Sequence, residues 1–212
     1  NIILFEKSGS VFEGYYNHKP MSAKGRFLIL RRFRAGDCDL MIKAYSPYGL
    51  VKLFIQEGLL PERGLLGYME PFNLLHAVYH QSGDVLFLRD IIGVDFFSYL
   101  CFRDYSAYLW MNSLVNFVEK WFIQYDPELF NILINYLRLT PKNRAVLLIK
   151  FKLEFLKRLG LYKEDIFDQR LIKIAKIIAE EDKLIKLERL KINIKDILEL
   201  DTAIDSHLST SL

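Results

Sequence analysis

The segment from Gly25 to Val94 constrains the fold more than any other part of this chain, because its apolar residues come in short runs. Two of the runs, Leu40–Tyr45 and Leu50–Gln56, alternate with the two-residue period of a β-strand. The turn sequence Ser46–Gly49 lies between them. Several short apolar runs divided by turn residues are typical of a small β-barrel.

Five strands are expected in this segment, and turn residues separate them. The predicted strands are Arg26–Phe33, Leu40–Tyr45, Leu50–Gln56, Tyr68–Tyr79 and Val85–Val94. Pro71 predicts a bulge in the fourth strand, since proline cannot donate to a strand ladder. An OB-fold barrel is the favoured arrangement, and an SH3-like barrel is the alternative.

After Asp95 the apolar spacing changes to three and four residues, which indicates helices. Asp126 followed by Pro127 is a typical helix start, with the aspartate as N-cap and the proline at the first helical position. Thr140–Pro141 predicts another start by the same logic. Gly160 is expected to end that second helix, because glycine adopts the left-handed backbone of a C-terminal cap.

The predicted fold class is α+β, with an N-terminal five-stranded OB-fold barrel packed on a C-terminal all-helical domain. The barrel is assigned to residues 25–94 and the helical domain to residues 95–212. Residues 201–212 are polar and are expected to fray. Residues 1–24 differ in character from the rest of the chain and are interpreted as a leader or an extension, with Met21 as a possible start.

Composition limits the class of protein. Half of the 212 residues are apolar (51%), which excludes wholesale disorder. The formal net charge is only +3, so any affinity for nucleic acid must come from local clusters of charge. Cys38 and Cys101 are far apart, which argues against a disulfide framework and favours a reducing, cytoplasmic location. No apolar run approaches the ~20 residues that span a bilayer.

Motifs of catalysis are missing from the sequence, which has neither a Gly-rich phosphate loop nor a G-x-S-x-G element. His76 and His80 are four residues apart, but they fall in a predicted strand and so do not form a helical metal pair. We therefore expect a protein that is not an enzyme and that uses no cofactor or metal.

Basic and aromatic residues coincide on the first three predicted strands. If two strands pair through the Ser46–Gly49 turn, Lys43 and Tyr45 lie beside Lys52 and Phe54 on one outward face. Lysines meet phosphates and rings stack on unpaired bases, so this face is predicted to bind single-stranded nucleic acid. The predicted DNA-binding residues are Arg31, Arg32, Arg34, Lys43, Tyr45, Lys52 and Phe54. Alternatively, Tyr45 and Phe54 are sheet residues covered by the helical part, with solvated lysines beside them.

A second group of basic residues follows Pro141, on the predicted helix that ends at Gly160. Its members are Lys142, Arg144, Lys150, Lys152, Lys157 and Arg158. Charged residues on a helix are usually a solvated surface, and that interpretation is favoured for most of this group.

Several of these elements resemble motifs of the RecO family of recombination mediators. The similar elements are Leu28–Arg32, Gly36–Leu40, Tyr48–Val51, Gly67–Phe72 and the stretch Leu147–Leu156 followed by Leu159–Leu161. Each element is weak alone, but their order and spacing over residues 25–162 are fairly specific.

The resemblance implies an OB domain, a helical domain and a role in DNA repair and recombination. It implies binding of single- and double-stranded DNA, annealing of complementary strands and partnership with RecR. Together the two proteins would help load RecA onto DNA coated by single-strand-binding protein, SSB. The acidic tail of SSB is expected in a pocket of the helical domain, with Lys150 and Arg144 as the partner-binding residues.

Two departures from the family pattern stand out. No cysteine follows the Leu159–Leu161 element, which excludes the zinc finger that many relatives carry there. The loop Gly58–Gly64 contains one arginine and one glutamate, whereas relatives place several basic residues in it. The weight of the DNA-binding prediction therefore falls on the first three strands.

Overall fold

The computed structural model describes residues 22–121 and 126–212. The predicted leader lies outside these ranges apart from its C-terminal end, where Ala23 and Lys24 already belong to the first strand. The described chain forms a β-barrel followed by helices, as the sequence predicts.

Five strands close the barrel. They are β1 (Ala23–Ala35), β2 (Asp39–Ser46), β3 (Gly49–Ile55), β4 (Leu74–Ser82) and β5 (Val85–Asp95). Their order around the barrel is β1-β2-β3-β5-β4, and β3 and β5 are the parallel neighbours among otherwise antiparallel pairs. This order confirms the predicted OB-fold barrel.

A bulge in β1 changes which side of the barrel its residues face. Ile29 pairs with Ala44, whereas Arg31 pairs with Lys43, so β1 advances two residues while β2 advances one. Ile29 and Ala44 are fully buried inside the barrel, and Arg31 is exposed on its outer side. The additional residue, Leu30, therefore moves the following odd-numbered positions of β1 from inside to outside.

The fourth strand begins at Leu74, and its predicted start at Tyr68 is wrong. Phe72 has a φ of 75°, a left-handed backbone that no strand accommodates. Its N–H donates to the carbonyl oxygen of Ile29 at 2.8 Å, which ties this turn to β1. Met69, fully buried in the same turn, joins the apolar core of the barrel.

Seven helices follow within the described ranges. They are α1 (Ser98–Arg103), α2 (Tyr105–Trp121), α3 (Pro127–Leu137), α4 (Arg144–Arg158), α5 (Gln169–Glu180), α6 (Leu184–Arg189) and α7 (Ile194–Ser211). Among them, none combines the length and the apolar character that crossing a membrane requires.

Two of the three predicted helix-end signals are confirmed. Asp126 caps α3 by accepting hydrogen bonds from two backbone N–H groups, and Gly160 has a φ of 69° just after α4. The start predicted at Thr140–Pro141 is wrong. The N-cap of α4 is Asn143, whose side chain accepts from the N–H of Val146 at 3.4 Å.

The C-terminal segment is helical, and the predicted fraying from Asp201 onward is wrong. α7 continues to Ser211, because Ile204 and Leu208 are fully buried in the helical core. An amphipathic pattern with such buried positions holds a helix down by tertiary packing, even where its other residues are polar.

The outer side of the barrel and the helices share one apolar core, separate from the core inside the barrel, which confirms that the two regions pack on each other. Leu28, Tyr45 and Leu74 lie on the outer side of the barrel and belong to the same buried cluster as the helices. The ring of Tyr45 lies 5.5 Å from that of Phe130 on α3. This packing leaves only part of the outer barrel surface open.

Candidate nucleic-acid interface

Three cations form a row across the open outer surface of the barrel. Arg31 on β1 pairs in register with Lys43 on β2, and Lys43 pairs with Lys52 on β3. The hairpin through Ser46 and Gly49 brings the two lysines together as predicted. We call Arg31, Lys43 and Lys52 the cationic row.

A mainly aromatic row lies beside it, two positions away on β1, β2 and β3, and continues onto β5 and β4. Its members, paired in register from strand to strand, are Phe33, Met41, Phe54, Phe87 and His80. The rings of Phe54 and Phe87 are 5.3 Å apart, and Phe87 stacks with His80 at 5.0 Å and 28°. Phe33 is 49% exposed at one end. We call these five residues the aromatic row.

A groove of about 820 Å³ opens on this side of the barrel, and we call it the barrel groove. Its lining includes Phe33 and Met41 of the aromatic row and both lysines of the cationic row. Cations that can meet phosphates and rings that can stack with bases therefore line one surface, which is the combination that single-stranded nucleic acid requires.

The predicted role of Tyr45 is wrong. Tyr45 has no exposed surface, because α3 covers this part of β2 and places Phe130 against its ring. Burial, together with the negative charge of Asp126, raises the pKa of Tyr45 far above its usual value. For this residue the alternative interpretation, a sheet residue covered by helices, is correct. Phe54, in contrast, faces outward in the aromatic row.

The three arginines predicted to bind DNA do not share one side of β1. Arg31 faces outward beside Lys43, but Arg32 and Arg34 alternate to the other side of the strand. The guanidinium of Arg32 forms an ion pair with Glu70 at 2.9 Å, and Arg34 donates to a backbone carbonyl at 3.2 Å. Only one of the three arginines therefore belongs to the cationic row.

Glu119 on α2 reaches the cationic row from the helical side. Its carboxylate lies 2.8 Å from Nε of Arg31 and 2.7 Å from Nζ of Lys43. Burial by itself would raise the pKa of Glu119, but the hydrogen bonds and positive charges of the two cations outweigh it and lower the pKa. The carboxylate is therefore ionised at neutral pH.

The row nevertheless keeps a net positive charge, since three cations face one carboxylate. Arg31 is about half exposed, with 52% of its side chain accessible. Within the described ranges, Lys52 makes no ion pair and is exposed. Lys52 is thus the cation of this row that is most available to a phosphate.

The two predicted partner-binding residues of α4 both pair with groups of the protein, but only Lys150 is buried, since the side chain of Arg144 is 33% exposed. Lys150 is 5% exposed, and its ammonium donates to the carbonyl oxygen of Ala179 at 3.0 Å. Arg144 lies 3.2 Å from the carboxylate of Asp104, at the junction of α1 and α2. The ammonium of Lys150 is therefore not on an accessible surface, contrary to the prediction.

The solvated surface predicted for this basic group is wrong for Lys152 as well. Lys152 is 5% exposed and lies 2.6 Å from Asp201 and 2.7 Å from Asp205, both on α7. Its ammonium also lies 5.1 Å from the ring centre of Phe117. α4 packs against α2, α3, α5, α6 and α7, so Lys150 and Lys152 meet neighbouring helices rather than water. Lys142, Lys157 and Arg158 are exposed, as predicted.

The two histidines of β4 interact with neighbouring side chains. Nε2 of His76 lies 3.6 Å from the carboxylate of Asp95, and Nδ1 of His80 accepts from Nε of Arg89 at 2.9 Å. Within the described ranges, no group of three or more His, Cys, Asp or Glu side chains is arranged to hold a metal ion.

The sequence interpretation missed four members of the aromatic row. Met41 and Phe87 each stand at an alternating position of a predicted strand, so their direction was available from the pattern, whereas the outward direction of Phe33 requires the bulge in β1. The alignment of the row was not available from the pattern, because it depends on the bulge in β1 and on the parallel pairing of β3 with β5. His80 joins the row through the pairing of β4 with β5.

Comparison with known proteins identifies a relative that carries no functional name. No family model matches this chain. A protein of Aquifex aeolicus (strain VF5) named "Uncharacterized protein" is 40% identical over 137 residues, which are 65% of this chain and 64% of that protein. The chain thus spans less than two thirds of this relative. Neither the barrel nor the helical region is long enough to contain the alignment alone, so the similarity includes parts of both.

Proposed function

We propose that this protein is a DNA-binding recombination mediator of the RecO kind, acting in DNA repair without covalent chemistry. The observation that carries the proposal is the cationic row beside the aromatic row on the open surface of an OB-fold barrel. OB-fold barrels commonly use this surface for single strands, with basic residues along the backbone and rings under the bases.

Binding by such a surface depends on salt. Each phosphate that a cation neutralises releases counterions, so affinity falls as the salt concentration rises. We propose that the bound strand lies across β1, β2 and β3, with Lys52 and Arg31 on its backbone and Phe54 and Phe33 under its bases. Two strands held in this way on separate copies could anneal when complementary.

The wider role follows from the resemblance of the motifs between residues 25 and 162. In this proposed role, the protein works in the cytoplasm with RecR, binds the tail of SSB and helps load RecA onto SSB-coated DNA. Lys150 supports the helical core in this proposal, so the SSB tail would contact Arg144, whose side chain is about a third exposed, and other residues of the helical domain.

Fluorescence anisotropy with a labelled single-stranded oligonucleotide tests the proposal. We expect binding at low salt that weakens steeply as salt is added, and weaker binding still for Lys52→Ala. Lys195→Ala is the matched control, because this exposed lysine lies on α7, in the helical region. Equal affinities and equal salt slopes for all three proteins would contradict the assigned surface. Repeating the titration with RecR tests the partnership.

A protein-interaction scaffold with little direct DNA binding is the second candidate. The observation that favours it is Glu119, which neutralises part of the charge of Arg31 and Lys43. A scaffold would show no oligonucleotide binding at low salt and would still capture a peptide with the sequence of an SSB tail. The mediator is expected to bind both.

A further inference from the structure

Exposed aromatic rings lie where the barrel meets the first two helices. Phe102 on α1 is 79% exposed, and Tyr105 and Tyr108 on α2 are 71% and 39% exposed. The two tyrosine rings stack at 5.9 Å and 20°, and Tyr108 packs edge-on against Phe72. Soluble proteins rarely expose neighbouring rings in this way, and such apolar patches mark interaction sites.

Two of these rings, Phe102 and Tyr108, border a second groove, of about 480 Å³, which we call the junction groove. Phe102 and Tyr108 line one side of it, and Arg31, Arg32 and Phe33 of β1 line the other. Phe33 also lines the barrel groove, so this one side chain borders both. A ligand that crosses Phe33 passes directly from one groove into the other.

Arg31 and two asparagines give the junction groove groups that suit a nucleic-acid strand, while Arg32 in the same lining is neutralised by Glu70. Arg31 uses Nε for Glu119, while its terminal nitrogens donate to no other described side chain. Asn112 and Asn116 lie in the same lining and carry amide donors and acceptors that match base edges. Rings, a partly exposed guanidinium and amides are the groups with which proteins hold single strands.

We propose that the junction groove is a second binding site for single-stranded DNA, continuous with the barrel groove. The strand crosses Phe33, its backbone passes Arg31, and one or more bases stack on Phe102 and on the Tyr105–Tyr108 pair. This inference rests on the proposed function, because it extends the strand that the barrel binds.

A strand that fills both grooves must be longer than one that fills the barrel groove alone. A single OB-fold barrel occupies about 4–16 nucleotides. A short oligonucleotide therefore fills the barrel groove only, whereas a longer one reaches the rings of α1 and α2. We expect affinity to increase with length until both grooves are filled, and the increase should depend on Phe102.

Anisotropy with oligothymidine of two lengths, about 8 and about 24 nucleotides, tests this. Phe102→Leu keeps an apolar side chain but removes the ring, and the fold should tolerate it because the side chain is so exposed. We expect this variant to bind the longer strand about tenfold more weakly and the shorter one as the wild type does. Phe102→Trp should restore the longer strand's affinity, since a ring is again present.

Ile185→Ala, which shortens a 63% exposed apolar residue on α6, is the control and should match the wild type with both lengths. Unchanged binding of the longer strand by Phe102→Leu would overturn the inference and would favour a protein partner for these rings. If the wild type bound neither length even at low salt, the proposed function itself would fail.

Discussion

Nζ of Lys43 on the barrel lies 2.7 Å from Oε1 of Glu119 on α2. Arg31 binds the same carboxylate, so two cations of the candidate DNA surface also join the barrel to the helices. The interface between the two regions and the proposed binding surface therefore share residues. A bound phosphate would compete with Glu119 for them.

Glu119→Gln is expected to strengthen DNA binding. Removing the carboxylate frees the charge of Arg31 and Lys43, so affinity should rise severalfold at low salt and the salt slope should steepen by about 0.7. Anisotropy over a range of salt concentrations measures both quantities. The control is Glu164→Gln, which removes a half-exposed carboxylate paired with Lys176 in the helical region. Unchanged binding by Glu119→Gln would favour the scaffold.

Glu119→Gln is also expected to change the way in which the free energy of unfolding depends on pH. The pKa of Glu119 is lowered in the folded protein, so its ionised form stabilises the fold fully above the usual value of 4.5. This contribution is lost as the pH falls through the lowered folded-state pKa. Urea unfolding should show wild type more stable than Glu119→Gln near neutral pH, with the difference shrinking in acid. A constant difference across this range would contradict the prediction.

Phe130 is expected to hold the barrel against the helices. Its ring is fully buried, contacts Tyr45 and lies 5.0 Å from the guanidinium of Arg26. Phe130→Ala should lower the free energy of unfolding by about 3–5 kcal/mol, because it leaves a cavity in the shared core. Phe102→Ala, which removes an exposed ring, should change the free energy of unfolding by less than about 0.5 kcal/mol. Equal effects of the two substitutions would show that the two regions do not share a core.

Lys152 is expected to fix α7 on α4. Lys152→Met keeps the length of the side chain but removes the cation from Asp201 and leaves Asp205 paired with Lys120 at 3.6 Å. The free energy of unfolding should fall by about 2–3 kcal/mol, less than for a fully buried pair because both carboxylates are about a third exposed. Adding Asp201→Asn and Asp205→Asn should recover part of the loss in thermal or urea unfolding. No recovery would mean that lost packing, rather than charge, causes the effect.

Local patterns in the sequence were sufficient to predict the five barrel strands and two helix ends. Alternation gave the direction of Lys43 and Lys52, and their pairing needed only the short turn between them. Asp126 and Gly160 act through their own backbone neighbourhood, so their roles were also readable. These features depend on residues close together in the chain.

The errors concern features that distant residues decide. Tyr45 has the pattern of an outward strand residue, and only the position of α3 determines that it is covered. Lys152 reads as a surface lysine until α7 returns to place two aspartates beside it. Phe72 lies in an apolar stretch that favours a strand, yet its turn is set by contacts with β1.

The bulge at Leu30 decides which residues of β1 reach the outer surface. If β1 paired with β2 without the bulge, Leu30 would oppose Lys43, and Arg31 and Phe33 would turn toward the inside of the barrel with no change in composition. A relative with the same residues in a regular strand would therefore lose both side chains from the outer surface. The chemistry of that surface thus depends on a residue that is itself buried and takes no part in it.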